Sequence, residues 1–194
     1  SLKAYGGNPA VGAMTICSSV MQVFYLLLQG LAQGAQPIIG FNYGAGSLDR
    51  VKKAFRLLFA SALAFSTAAW ALLELFPGVF VALFNNKPEL VEVAVWSLRA
   101  YAGGLFMLGV QNACQQTFLA LGQSRISLFL ALLRKIILLI PLILILPRFL
   151  ENQVLAVFLA EPAADILAAS VTGALFFRRF PRILEQRRQE LAHR

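Results

Sequence analysis

Two apolar runs, each long enough to cross a hydrocarbon core, meet between Gln33 and Arg56. Small residues and four positive charges, Arg50, Lys52, Lys53 and Arg56, join them. A water-soluble fold has no use for twenty-residue apolar runs, whereas a membrane helix needs about that many. Composition agrees: 59% of the chain is hydrophobic and only 13% charged, about half the charged share of a soluble domain. Too few charges remain to coat a soluble core.

Five apolar segments can be marked, at about residues 10–41, 54–76, 93–121, 126–146 and 154–177. Each should be helical, because lipid offers no partner to an unpaired backbone group. The first and third exceed the required length and are expected to tilt or protrude. Val79 to Phe84 is too short to span and should cap the second helix or lie at the interface. The opening SLKAYGGNP reads as an extramembrane loop, and the start reads as cut, with no initiator Met and no signal peptide. The expected fold is an all-α membrane protein of five transmembrane helices over residues 1–179, followed by a basic tail over 180–194.

Charge orients these spans. The first loop, Arg125 and the tail after the last helix hold eleven basic residues; Lys3, Lys87 and Arg148 are the three on the other side. The richer side should be cytoplasmic, which puts the C-terminus inside and the start of this chain outside. External loops are expected at Asn85 to Glu89 and Pro147 to Asn152. The net charge of +8 comes from these short clusters, which set topology and leave little surface for nucleic acid. Cys17 and Cys114 lie inside apolar segments and read as inert packing residues.

Polar groups within spans carry the functional signal. Gln29, Gln33 and Gln36 share a face of the first helix. Gly30–Gly34 and Gly40–Gly44 have the spacing that lets helix backbones approach. Pro37 frees a carbonyl one turn earlier, so a kink is expected there. Gln111, Asn112, Gln115 and Gln116 repeat the amide theme on the third helix, more than helix gluing requires, with Gly103, Gly104 and Gly109 before them. Glu161 and Asp165 lie one turn apart in the last helix, at a depth comparable to Arg134 and Lys135 in the fourth. Either the charges pair between helices, or a carboxylate exchanges protons. His193 is the single histidine and sits in the tail, so no His-based catalysis is expected, nor any cofactor or metal.

QGAQPIIGFNYGAG followed by DRVKKAF resembles the signature helix and loop of multidrug and toxin extrusion (MATE) transporters, closest to the staphylococcal-type drug exporters. The YGG before the first helix, LFNNKPELVEVAVWSLRAY, TFLALGQSRISL, LLRKIILLIPLILILP and the PAAD of the last helix match in order, so the resemblance covers essentially the whole chain. It implies most of one six-helix lobe: the C-terminal lobe without its first helix, partnered by a missing N-terminal lobe. It implies a multi-pass protein of the bacterial inner membrane, part of an H+ or Na+ antiporter that exports amphipathic or cationic compounds by alternating access. Cavity-facing residues under this resemblance are Gln33, Gln36, Asn42, Gln111, Asn112 and Gln115, with Asp165 as a charged contributor. Gly30, Gly34, Pro37, Gly40 and Gly44 would shape the bend and the helix contacts. Some branches carry an acid in the third helix; this chain has Gln111 and Asn112 there, which argues against a cation site of that kind. A lipid-linked precursor flippase of the same superfamily and a non-transporting assembly subunit are the alternatives.

Overall fold

The computed structural model describes residues 2–84 and 88–193, with the side chains of residues 2–6 and 88–89 outside the description. Lys87 and most of the expected external loop at 85–89 therefore fall outside it, as do the side chain of Lys3 and all of Arg194.

Among the described residues every regular element is helical. These are α1 (Leu2–Gly44), α2 (Leu48–Leu75), α3 (Pro77–Ala82), α4 (Pro88–Ala102), α5 (Leu105–Ala120), α6 (Ser124–Leu132), a π-helical stretch (Leu133–Leu139), α7 (Ile140–Phe149) and α8 (Gln153–Ala192). Four continuous helical stretches are long and apolar enough to span a membrane: 7–44, 48–75, 124–149 and 153–192. A fifth span is formed by Leu90–Ala102 and Leu105–Ala120, bent by 43°. The fold is thus the expected all-α membrane bundle, of four continuous spans and, with the bent pair counted as one, a fifth.

Its details differ from expectation in physically readable ways. The third span is broken at Gly103–Gly104, where two adjacent glycines make helix interruption cheap. The dihedral break in α1 lies at Gly7 (φ 63°), while the helix runs on through Pro37. SLKAYGGNP is therefore helical from Leu2 up to that break rather than a loop. The basic residues after Gly46 belong to the first turns of α2, since only residues 45–47 separate α1 from α2. Val79 and its neighbours form the short helix α3, directly after α2. The fourth span continues past Pro147 to Phe149, and α8 runs unbroken through Pro181 to Ala192. Forty residues of α8 make a rod of about 60 Å, twice the hydrocarbon thickness, so its basic end projects beyond the membrane.

Small residues decide which helices touch. A Cβ on Gly109 would sit 2.5 Å from the Ala62 carbonyl oxygen, so only glycine lets α5 lie this close to α2. Ser66 stitches the same contact by donating to the Phe106 carbonyl at 3.0 Å. On α8, buried Ala156, Ala160, Ala164, Ala168 and Thr172 recur every four residues, which brings one face of the rod against its neighbours. By contrast Gly30, Gly34 and Gly44 meet no atom within 4 Å of a Cβ position; of the two expected GxxxG pairs only Gly40 does, 3.3 Å from the Ala120 carbonyl. Gly30 and Gly34 instead line an open apolar cavity of about 470 Å³ between α1 and α2.

The ends of the bundle also sort. Arg187 of α8 donates to the Gly44 carbonyl at 3.1 Å and lies 5.6 Å from the Tyr43 ring centre. The tail and the α1–α2 turn therefore share one side. A stack of Phe55, Phe118, Phe176 and Phe180, with ring centres 4.5–5.1 Å apart, fills the bundle just inside that end.

Candidate functional site

Three helix irregularities converge on one place. Pro141 has no N–H and its ring crowds the Ile137 carbonyl; the helix answers with the wider π stretch at Leu133–Leu139. This stretch carries Arg134 and Lys135. Pro162 sits within α8 beside Glu161 and one turn before Asp165. The Gly103–Gly104 break presses directly on that point: a Cβ on Gly104 would lie 2.9 Å from the Pro162 Cα and 3.1 Å from the Asp165 Cβ. Irregular backbone within a membrane is tolerated where protein or a polar cavity satisfies it.

The charges form a quartet. Arg134 Nε donates to Asp165 Oδ1 at 2.5 Å, with Asp165 only 2% exposed. Arg134 Nη2 lies 3.8 Å from Glu161 Oε1, and Lys135 Nζ donates to the same oxygen at 3.3 Å. A π turn narrows the angle between adjacent side chains, which helps Arg134 and Lys135 both reach α8. Arg134 lies ten residues into its span, about 15 Å from the end, so the pairs sit near the middle of the hydrocarbon. Two cations and two anions balance, and burial separates their roles: Arg134 and Asp165 are enclosed, whereas the Lys135 side chain is 58% exposed.

These groups line a cavity of about 240 Å³ together with Ser18, Gln22, Tyr25 and Tyr101. A smaller cavity of about 20 Å³ adjoins it, lined by Tyr25, Leu108, Gln111, Asn112, Gln115 and Arg134. Of the expected site residues, Gln111, Asn112, Gln115 and Asp165 are thus brought together around Arg134. Gln115 donates to the Ser127 carbonyl at 3.2 Å, holding the start of α6. Gln33 is exposed, Gln36 and Asn42 are half-buried, and none of the three lines either cavity. The Asn42 amide is spent on its own helix, donating to the Ile38 carbonyl at 2.8 Å. The polar α1 residues that do reach the site are Ser18, Gln22 and Tyr25, with Met21 beside them. Gln22 had a signal, lying seven residues before Gln29 on the same helical face.

The MatE family model matches residues 2–145, and the chain belongs to this family. Multidrug export protein MepA of Staphylococcus haemolyticus is 22% identical over 87% of this chain and 37% of its own length. MepA of Staphylococcus aureus is 25% identical over 89% and 38%. A protein of Shewanella oneidensis named FAD transporter is 25% identical over 73% of this chain and 31% of its own length. The chain thus spans under two fifths of the length of these relatives. Among solved structures, the MATE multidrug transporter DinF-BH in complex with R6G superposes with a TM-score of 0.78 at 33% identity, covering 91% of this chain and 39% of that one. An outward-facing MATE family transporter of the MOP superfamily shares the fold at a TM-score of 0.87 and 17% identity, over 95% and 41%.

Proposed function

We propose that this chain is most of one lobe of a cation-coupled multidrug exporter of the bacterial inner membrane, with its basic end and C-terminus in the cytoplasm. The observation that carries the reading is the buried Arg134–Asp165 pair, with Glu161 and Lys135, lining a cavity where the α4–α5 break, Pro162 of α8 and a π turn meet. Ionisable groups at such depth are costly and mark pathways or relays. The α4–α5 break is the point at which this lobe would bend between the two arrangements that alternating access needs. A cation that competes with Arg134 or Lys135 for the carboxylates would bias one arrangement over the other. Ser18, Gln22, Tyr25 and Tyr101 provide the uncharged polar wall of that cavity for an amphipathic substrate. The balance of two cations against two anions does not suit a site built for a polyanionic lipid headgroup, which weighs against the flippase alternative.

The test uses a whole protein carrying this sequence, expressed in a bacterial host stripped of its own drug exporters. R6G efflux is expected, and it should stop when the proton and sodium gradients are both collapsed. Glu161→Gln should lower efflux at unchanged membrane abundance. Efflux that persists without either gradient, or no efflux of any amphipathic cation tried, would count against the proposal.

A further inference from the structure

The 20 Å³ cavity beside Arg134 is a polar site in its own right. Gln111 is 4% exposed and Asn112 8%, so both are more than nine-tenths buried. Among the described residues, Gln111 Oε1 and Asn112 Oδ1 accept no hydrogen bond. Two acceptors left unpaired at this depth would each forfeit about 1–3 kcal/mol. Tyr25 and Arg134 line the same cavity, and both carry hydrogen-bond donors.

We propose that Gln111 and Asn112 hold one water molecule here. It donates one proton to each amide oxygen and accepts from Arg134. Size supports this occupant: the cavity is large enough for a buried water and far below the roughly 300 Å³ of a small-molecule pocket. Hydrogen-bond arithmetic supports it too, since two orphan acceptors match the two protons of a water, and three bonds is the usual number for a buried one. A bare monovalent cation would find oxygen ligands but would face the Arg134 guanidinium, which also lines the site.

The water makes Arg134 a positioned group. Asp165 holds the guanidinium from α8, and the water ties it to the amides of α5 from the other side. The polar lining then runs on from the larger cavity, past Arg134, to Gln115 and the start of α6. This assignment is independent of the transport reading, because neither measurement below involves efflux.

The test is a high-resolution structure of a whole protein carrying this sequence, with a second data set collected in thallium. A solvent peak bonded to both amide oxygens, with no thallium signal, is the expected result. A thallium peak at that position, or no peak in either data set, would overturn the proposal. A Gln111→Leu variant gives an independent reading through the sign of its Tm change. Leucine should lower Tm if the amide anchors a water. If the amide oxygen is instead a dry orphan, removing it relieves a penalty, so an equal or higher Tm also overturns the proposal.

Discussion

Asp165→Asn is the sharpest perturbation of this lobe. The variant keeps the shape of the side chain and removes its charge from Arg134, which approaches to 2.5 Å. Two unit charges about 4 Å apart at an effective dielectric of about 20 attract by about 4 kcal/mol. Removing one partner of such a buried pair typically costs about 3–5 kcal/mol, because the other is left charged and enclosed. Arg134 keeps Glu161 at 3.8 Å as a fallback partner, which places the expected cost near the lower end, about 3 kcal/mol. Glu161→Gln should cost less, about 1 kcal/mol, because the Lys135 side chain that it releases is 58% exposed. Replacing Arg134 and Asp165 together by leucines should recover most of the loss. The assay is unfolding of the whole protein in detergent, followed by tryptophan fluorescence, with membrane abundance measured beside it. A double-mutant cycle over Arg134 and Asp165 should then return a coupling of about 2 kcal/mol or more. A loss under about 1 kcal/mol for Asp165→Asn, or a cycle that closes with no coupling, would refute the inference that this pair is desolvated and structural.

Gly104→Leu should lower stability by about 1–3 kcal/mol through overpacking onto Pro162, whereas Gly30→Ala, facing open space, should stay within about 0.5 kcal/mol of the parent; thermal unfolding separates them. Arg187→Ala removes a hydrogen bond to Gly44 and the contact with Tyr43 and should cost about 1 kcal/mol; earlier proteolytic cleavage of the tail is the expected readout. For orientation, a cysteine introduced at Asn152 should react with an impermeant reagent on intact cells and one at Asp49 should not; the reverse pattern would invert the topology.

Much of the fold was legible because lipid imposes a simple rule. Runs of about twenty apolar residues must be helices, and the basic clusters at Arg50–Arg56, Arg125 and Arg178–Arg188 must sort to one side. The packing of Arg187 on Gly44 agrees for the first and last of these. Interruptions were harder to see. Gly103–Gly104 permits a break without demanding one, and what makes it a break is Pro162 on another helix. Pro37 and Pro162 look alike in sequence, yet one stands in an exposed stretch of α1 and the other at a crowded crossing. The site was half legible for the same reason. Gln111, Asn112 and Asp165 announce themselves by polarity within a span. Which third of the 43-residue α1 they meet depends on how the helices cross; the spacing of Gln29, Gln33 and Gln36 extends back to Gln22 but does not point to Ser18 or Tyr25.

The continuity of α8 gives the buried charges mechanical leverage. From Asp165 to Leu191 the helix is unbroken, a lever arm of about 39 Å at 1.5 Å per residue. A tilt of about 10° pivoting near Pro162 sweeps the far end through about 7 Å on that length. Arg187 and Leu191 grip the α1–α2 turn at that end, where a Cβ on Gly46 would lie 2.7 Å from Leu191 Cδ1. A small rearrangement among Arg134, Glu161 and Asp165 that tilted α8 would thereby be geared up into a displacement of the turn that leads into α2, on the opposite side of the aromatic stack.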